Sequence, residues 1–370
     1  MQTTVTPVHP RKARLIAFYL PQFHPVPEND EWWGKGFTEW TNVTRARPIF
    51  RGHYQPLLPA DLGFYDLRVP EVRELQANLA RAHGIEGFCY WHYWFHGRRI
   101  LDRPFAEVLK SGKPDFPFCL GWANESWSRS WLGDNRQVIL EQRYSPEDDI
   151  AHARWLAEAF ADPRYIRVKG RPLLLIYRPK NLPEPKRTTD TIRAEITRLG
   201  LPEPFLAGSD AHAFGTDMRE FGFDLTQHHE PQLGILPGAL SDSFKEGLQH
   251  ILRGERTFRR AKVYRYSDAR RWMDEIRPKF PHFSGYFVGW DNTARRGDKA
   301  IVIEGTEPAI VAEGLRSLIS SIADKPFDER LVFVNAWNEW AEGNYLEPDK
   351  KNGHKFLEAF RDVICERVKV

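Results

Sequence analysis

Glu339 and Glu342 stand three residues apart in the stretch Asn335-Ala336-Trp337-Asn338-Glu339-Trp340-Ala341-Glu342-Gly343-Asn344-Tyr345-Leu346-Glu347-Pro348. Trp337, Trp340 and Tyr345 flank them. Paired carboxylates in an aromatic mouth suit the chemistry of a glycosidic bond. One keeps a proton for the leaving oxygen, and the other, ionised, helps form the new bond at the anomeric carbon. Indole and phenol rings supply apolar faces on which sugar rings lie. The competing reading is a Trp-rich core strand that runs into a solvated acidic turn.

These glutamates follow an apolar run, Leu331–Val334, that reads as a buried parallel strand. Seven more such runs precede it: Leu15–Leu20, Ile85–Trp91, Phe116–Trp122, Pro172–Tyr177, Pro204–Ser209, Phe223–His228 and Gly285–Trp290. Amphipathic segments lie between them, at Pro70–His83, Pro146–Phe160, Thr189–Leu199 and Pro308–Ile322. Pro70, Pro146 and Pro308 suit the first helical position, where no N–H is needed. Eight alternating units indicate a (β/α)8 TIM barrel, an α/β fold, with long βα loops at its C-terminal face. The longest loops run from Pro21 to about Leu67 and from Glu230 to about Phe280, the second carrying a basic stretch, Arg253 to Arg260. No repeat or linker divides the chain, so a single catalytic barrel over 1–370 is expected, with its core at about 14–360.

In such a barrel the chemistry gathers where strands end. Reading those ends gives Tyr19 and His24, then Trp40 with Glu39, then His92 and Trp94. The third strand gives Trp122, Asn124, Glu125 and Trp127; the fourth gives Arg178; the fifth Asp210. His228 follows the sixth, Trp290 and Asp291 the seventh, and Trp337, Asn338 and Tyr345 the eighth. All but Trp155 and Trp272 of the 13 tryptophans fall in these segments, which favours a sugar cleft over a merely aromatic core.

Several of these positions carry a second reading. Glu125 is either a site carboxylate or the partner of Arg129. Asp210 and Asp291 either bind sugar hydroxyls or cap the following helices. Glu39 either meets substrate or is a solvated loop charge. His228-His229-Glu230 suggests a metal, but neighbours on a strand face opposite ways, so one histidine at most enters the mouth. A hydrogen-bonding His228 is expected, with no metal and no cofactor.

Lys and Arg are dispersed and the net charge is only +3, against nucleic acid as a partner. No run approaches the roughly 18 apolar residues of a membrane span, and no signal peptide is read near Met1. Cys89, Cys119 and Cys365 show no metal spacing and fit a reducing, cytoplasmic setting.

Ile16-Ala17-Phe18-Tyr19-Leu20-Pro21-Gln22-Phe23-His24-Pro25, Trp33-Gly34-Lys35-Gly36-Phe37-Thr38-Glu39-Trp40 and Gly52-His53-Tyr54-Gln55-Pro56 resemble the WbsX-type proteins. So do Asp61-Leu62-Gly63-Phe64-Tyr65-Asp66 and Asn335-Ala336-Trp337-Asn338-Glu339-Trp340. These bacterial proteins are related to glycoside hydrolase family 99 and accompany O-antigen and other surface polysaccharide genes. The resemblance spans residues 14 to 360 and implies the barrel. Family 99 enzymes are retaining endo-mannosidases or endo-mannanases with the motif Asn-Glu-Trp-His-Glu-Gly, matched here by Asn338-Glu339-Trp340-Ala341-Glu342-Gly343. Carried over, Glu339 deprotonates the sugar's own 2-hydroxyl, which attacks to give a 1,2-anhydro intermediate, and Glu342 serves as acid and then base. Ala341 replaces the family's histidine. The resemblance thus implies an enzyme acting on a polysaccharide or oligosaccharide. A glycosyltransferase of surface polysaccharide assembly, or a carbohydrate-binding pseudoenzyme, are the other readings.

Overall fold

A computed structural model describes residues 11–128, 138–242 and 260–365. Eight parallel strands close a barrel: β1 (Arg14–Tyr19), β2 (Gly87–Phe95), β3 (Phe118–Trp122), β4 (Arg171–Ile176), β5 (Phe205–Ser209), β6 (Leu225–Gln227), β7 (His282–Phe287) and β8 (Leu331–Asn335). Each pairs with its neighbour in chain order, and β1 pairs with both β2 and β8, so the sheet has no barrel edge. Strand β5, whose sequence signal is the weakest, is fully buried between β4 and β6. Both faces of the strands are covered, which is why they read as continuous apolar runs.

The expected helices form as α3 (Pro70–Ala82), α5 (Pro146–Phe160), α6 (Pro185–Arg198) and α9 (Pro308–Ser321), counting α1 (Pro27–Trp33), α2 (Glu39–Arg45) and α4 (Arg103–Ser111) before them, and α7 (Tyr266–Glu275) and α8 (Thr293–Arg296) between. Pro185 starts α6 earlier than the periodicity suggests. Ser145 caps α5 by accepting from the Asp148 amide at 3.1 Å, a contact that stabilises a helix by about 1 kcal/mol. Among the described residues no helix is long and apolar enough to cross a membrane.

The long loops are structured where described. The loop after β1 carries α1 and α2. The loop after β6 carries α7 and a strand, Lys262–Arg265, which pairs with Ile301–Glu304 and through it with Trp290–Asp291 in a small separate sheet. Trp290 and Asp291 therefore belong to this small sheet, not to β7. The basic stretch from Arg253 lies outside the described residues up to Arg260, and Arg129 lies outside them too.

Candidate active site

Beyond the barrel's C-terminal end opens a cleft of about 500 Å3. Aromatic walls come from Trp33, Trp91, Tyr93, Trp127, Tyr177 and Trp290, and polar groups from Glu125, Arg178, His212, His229, Arg295, Asn335, Glu339 and Glu342. The cleft thus contains six of the residues picked from sequence: Glu125, Trp127, Arg178, Trp290, Glu339 and Glu342.

At its floor one guanidinium serves three carboxylates. Arg295, from the single turn of α8, bonds Glu342 through Nη1, while its Nη2 lies 3.1 Å from Glu39 and 3.5 Å from Glu339. Glu39 is wholly buried at the first position of α2, fixed there by the capping box of Thr38 and Thr41. It is an ion-pair partner in the core rather than a solvated loop charge. Burial, then the charge of Glu342, push the Glu339 carboxyl up to about 8 against the pull of Arg295. Burial also raises Glu342, with Arg295 opposing and Glu39 and Glu125 adding repulsion. Two carboxylates that raise each other in this way titrate as a pair. One acid and one base is the state glycosidic chemistry needs.

The opposite wall is a second ion pair. Glu125 Oε2 meets Arg178 Nη2 at 2.5 Å, so its partner is Arg178. Tyr177 Oη and His212 Nε2 lie 3.1 Å apart, and the Trp91 ring stacks on Phe18 at 4.7 Å. His229 Nδ1, Trp290 Nε1 and Arg178 Nε are buried without a hydrogen-bond partner, in residues that line the cleft. Sugar hydroxyls, each donor and acceptor at once, match such groups. Burial lowers the His229 ring to about 3, so it is a neutral imidazole.

The structure puts the other residues picked from sequence away from the cleft, and all but His24 have an identifiable packing or hydrogen-bonding task. Three clamp backbone. Asn338 Oδ1 accepts from the Leu20 amide at 2.7 Å and its Nδ2 donates to the Leu20 carbonyl at 3.0 Å. Asn124 grips the amide and carbonyl of Arg178 in the same way, at 2.7 and 2.9 Å. Asp210 accepts from the His229 amide and pairs with His228 Nδ1, both at 2.8 Å. His228 thus turns outward and His229 turns in.

On β2 the same alternation sends Trp91 and Tyr93 inward and His92 and Trp94 outward, under α5. His92 stacks on Trp155 and meets His152 at 3.0 Å, Trp94 donates to Asp148, and Trp122 packs edge-on against His152. Tyr19 donates to Gln76 of α3, and Trp40 donates to the Tyr65 carbonyl. Trp337 packs on Phe88, and Tyr345 stacks on Trp340 and donates to Asp349. His24 is buried in the loop after β1. Asp291 is held by His53, Gln55 and Thr293 in a separate, smaller hollow.

The parity of the β2 and β6 ends identifies Trp91, Tyr93 and His229 once any one inward residue is known. Nothing in the sequence marks Arg295.

The chain is thus a closed (β/α)8 barrel with a buried glutamate pair in an aromatic cleft. Residues 15–360 match the family model described as Glycosyltransferase WbsX, and the chain belongs to that family. It is 41% identical over 355 residues to the uncharacterized protein WxcX of Xanthomonas campestris pv. campestris, in strains B100 and ATCC 33913. That match covers 95% of this chain but 50% of the relative, so the chain spans about half the length of the curated relatives it matches. Among solved structures, the family 99 endo-α-mannosidase of Bacteroides thetaiotaomicron superposes with a TM-score of 0.53 at 14% identity, covering 94% of this chain and 95% of that one. A glycoside hydrolase-like protein gives 0.56 at 12% identity, with 99% and 97% covered. These likenesses establish the shared fold.

Proposed function

We propose that this barrel cleaves a glycosidic bond in a bacterial polysaccharide or oligosaccharide with retention of configuration. Glu339 takes the proton of the sugar's 2-hydroxyl as that oxygen attacks the anomeric carbon. Glu342 gives its proton to the departing oxygen. The 1,2-anhydro ring then opens to water, with Glu342 as base and Glu339 returning the proton to the 2-oxygen. The reading is carried by the carboxylate pair gathered around Arg295 in an aromatic-walled cleft. The whole barrel acts as one catalytic unit, and the free thiols of Cys89, Cys119 and Cys365 suit the cytoplasm.

Transfer of the sugar to an acceptor hydroxyl in place of water uses the same pair, and the family's description favours it. A nucleotide-diphosphate donor fits the cleft poorly, because Arg178 and Arg295 are already engaged by Glu125, Glu39 and Glu342. The deciding experiment incubates the protein with bacterial surface polysaccharides and α-mannans and follows released oligosaccharides by mass spectrometry. Release that vanishes in Glu342→Gln supports hydrolysis. Release that persists in both Glu339→Gln and Glu342→Gln removes the pair from the mechanism. Silence across the panel, with binding of nucleotide sugars detected by calorimetry, favours transfer.

A further inference from the structure

Arg295 reaches three carboxylates unequally. It bonds Glu342 directly and lies 3.5 Å from Glu339, beyond hydrogen-bond range, while Glu39 holds its other arm at 3.1 Å. Glu39 is 0% and Arg295 7% exposed, so neither gains much from water. Glu342 is the more solvated of the pair, its side chain 23% exposed against 9% for Glu339. A charge-assisted hydrogen bond together with partial hydration favours the ionised form.

We propose that Arg295, tethered by Glu39, is a positioning residue that decides which carboxylate keeps the pair's proton, and that in the sugar-free protein it leaves Glu342 ionised and Glu339 protonated. This is the reverse of the assignment that the catalytic reading above requires at the moment of bond cleavage. A sugar entering the cleft must therefore part Arg295 from Glu342, and the proton passes from Glu339 to Glu342 as the guanidinium turns to Glu339. The inference rests on that catalytic reading only for this last consequence; the resting proton placement stands on the contacts. Among the described residues, the other titratable or charged groups around the pair are Tyr93 from β2, Glu125 after β3, Tyr177 and Arg178 after β4, His212 after β5 and His229 after β6.

The test is a pH titration of glutamate carboxyl 13C resonances in the full chain, with Glu339 and Glu342 assigned from Glu339→Gln and Glu342→Gln. In the wild type Glu339 titrates above Glu342. Arg295→Met removes the positive charge and raises the Glu342 midpoint by about 1–2 pH units, to or beyond that of Glu339. Glu39→Gln removes a negative charge and lowers both midpoints by about one unit. Arg295→Lys keeps the charge and preserves the wild-type order, and circular dichroism confirms that each variant is folded.

A wild type in which Glu342 titrates above Glu339, or midpoints that stay put in both Arg295→Met and Glu39→Gln, overturns the proposal. Turnover of the two Gln variants separates the two ideas. Expected midpoints with turnover intact sink the catalytic reading alone; failed midpoints with turnover abolished sink the proton placement alone.

Discussion

Glu342 and Glu347 stand five residues apart, and both carboxylates lie in buried surroundings, yet the two are built in opposite ways. Glu347 sits in a nest of neutral donors: Tyr65 Oη at 2.8 Å, Gln76 Nε2 at 2.6 Å and Trp340 Nε1 at 2.7 Å. Glu342 and Glu339 instead crowd each other and Arg295 at the edge of an open cleft. Burial lifts both regions, Glu347 to about 7 and Glu339 to about 8, so a displaced titration alone does not tell them apart. The partners do. Neutral donors closed around one carboxylate make a structural post, whereas a guanidinium shared among carboxylates, with room for a ligand, suits the proposed catalytic pair.

That contrast breaks most plainly under substitution. Glu339→Gln and Glu342→Gln each lower turnover by about 10^2–10^4-fold, typical of losing a general acid or base, while melting temperature holds or rises; turnover assays and calorimetry read the two. Glu347→Ala leaves three buried donors unpaired, and urea unfolding should show a loss on the order of 3 kcal/mol. Were Glu347→Ala as stable as the wild type, the nest would not be the post described.

A pH series sharpens the comparison further. The Glu347 carboxyl is raised on folding, so its favourable contribution is complete below about 4.5 and is lost as pH climbs through about 7. The wild type, compared with Glu347→Gln, should therefore lose on the order of 3 kcal/mol across that window. A parallel pair of stability curves contradicts this. Gly343→Ala has the smallest effect, about 1–2 kcal/mol by denaturation. Its φ is +60°, and a Cβ there would come within 2.8 Å of the Asp291 backbone nitrogen.

The barrel was legible because its strands are buried on both faces, so apolar runs bounded by Gly, Pro and polar residues mark all eight. The same double burial hid the site. Along β2, Phe88, Tyr90, His92 and Trp94 look as suited to a cleft as Cys89, Trp91 and Tyr93, since helices cover one set and the barrel interior receives the other. Glu125, Trp127, Arg178 and the Glu339–Glu342 pair line the cleft because loops at strand ends carry them toward the mouth. Asn124, Asp210 and Asn338 were misread because an amide or carboxylate that clamps a neighbouring loop has the same composition as one that binds sugar. Arg295 lay beyond reach, since a single helical turn after the Trp290–Asp291 ribbon brings it against Glu39 of α2.

The Asn338 clamp on Leu20 joins residues 318 apart in sequence. During synthesis the first seven strands emerge with an unpaired flank, and β1 waits for β8 to arrive. Until then Leu20 has no partner amide, and Arg295 faces Glu39 alone. Glu339 and Glu342 thus follow directly on the strand that shuts the barrel. A nascent chain halted before Asn335 displays an exposed β1 edge and lacks both cleft glutamates.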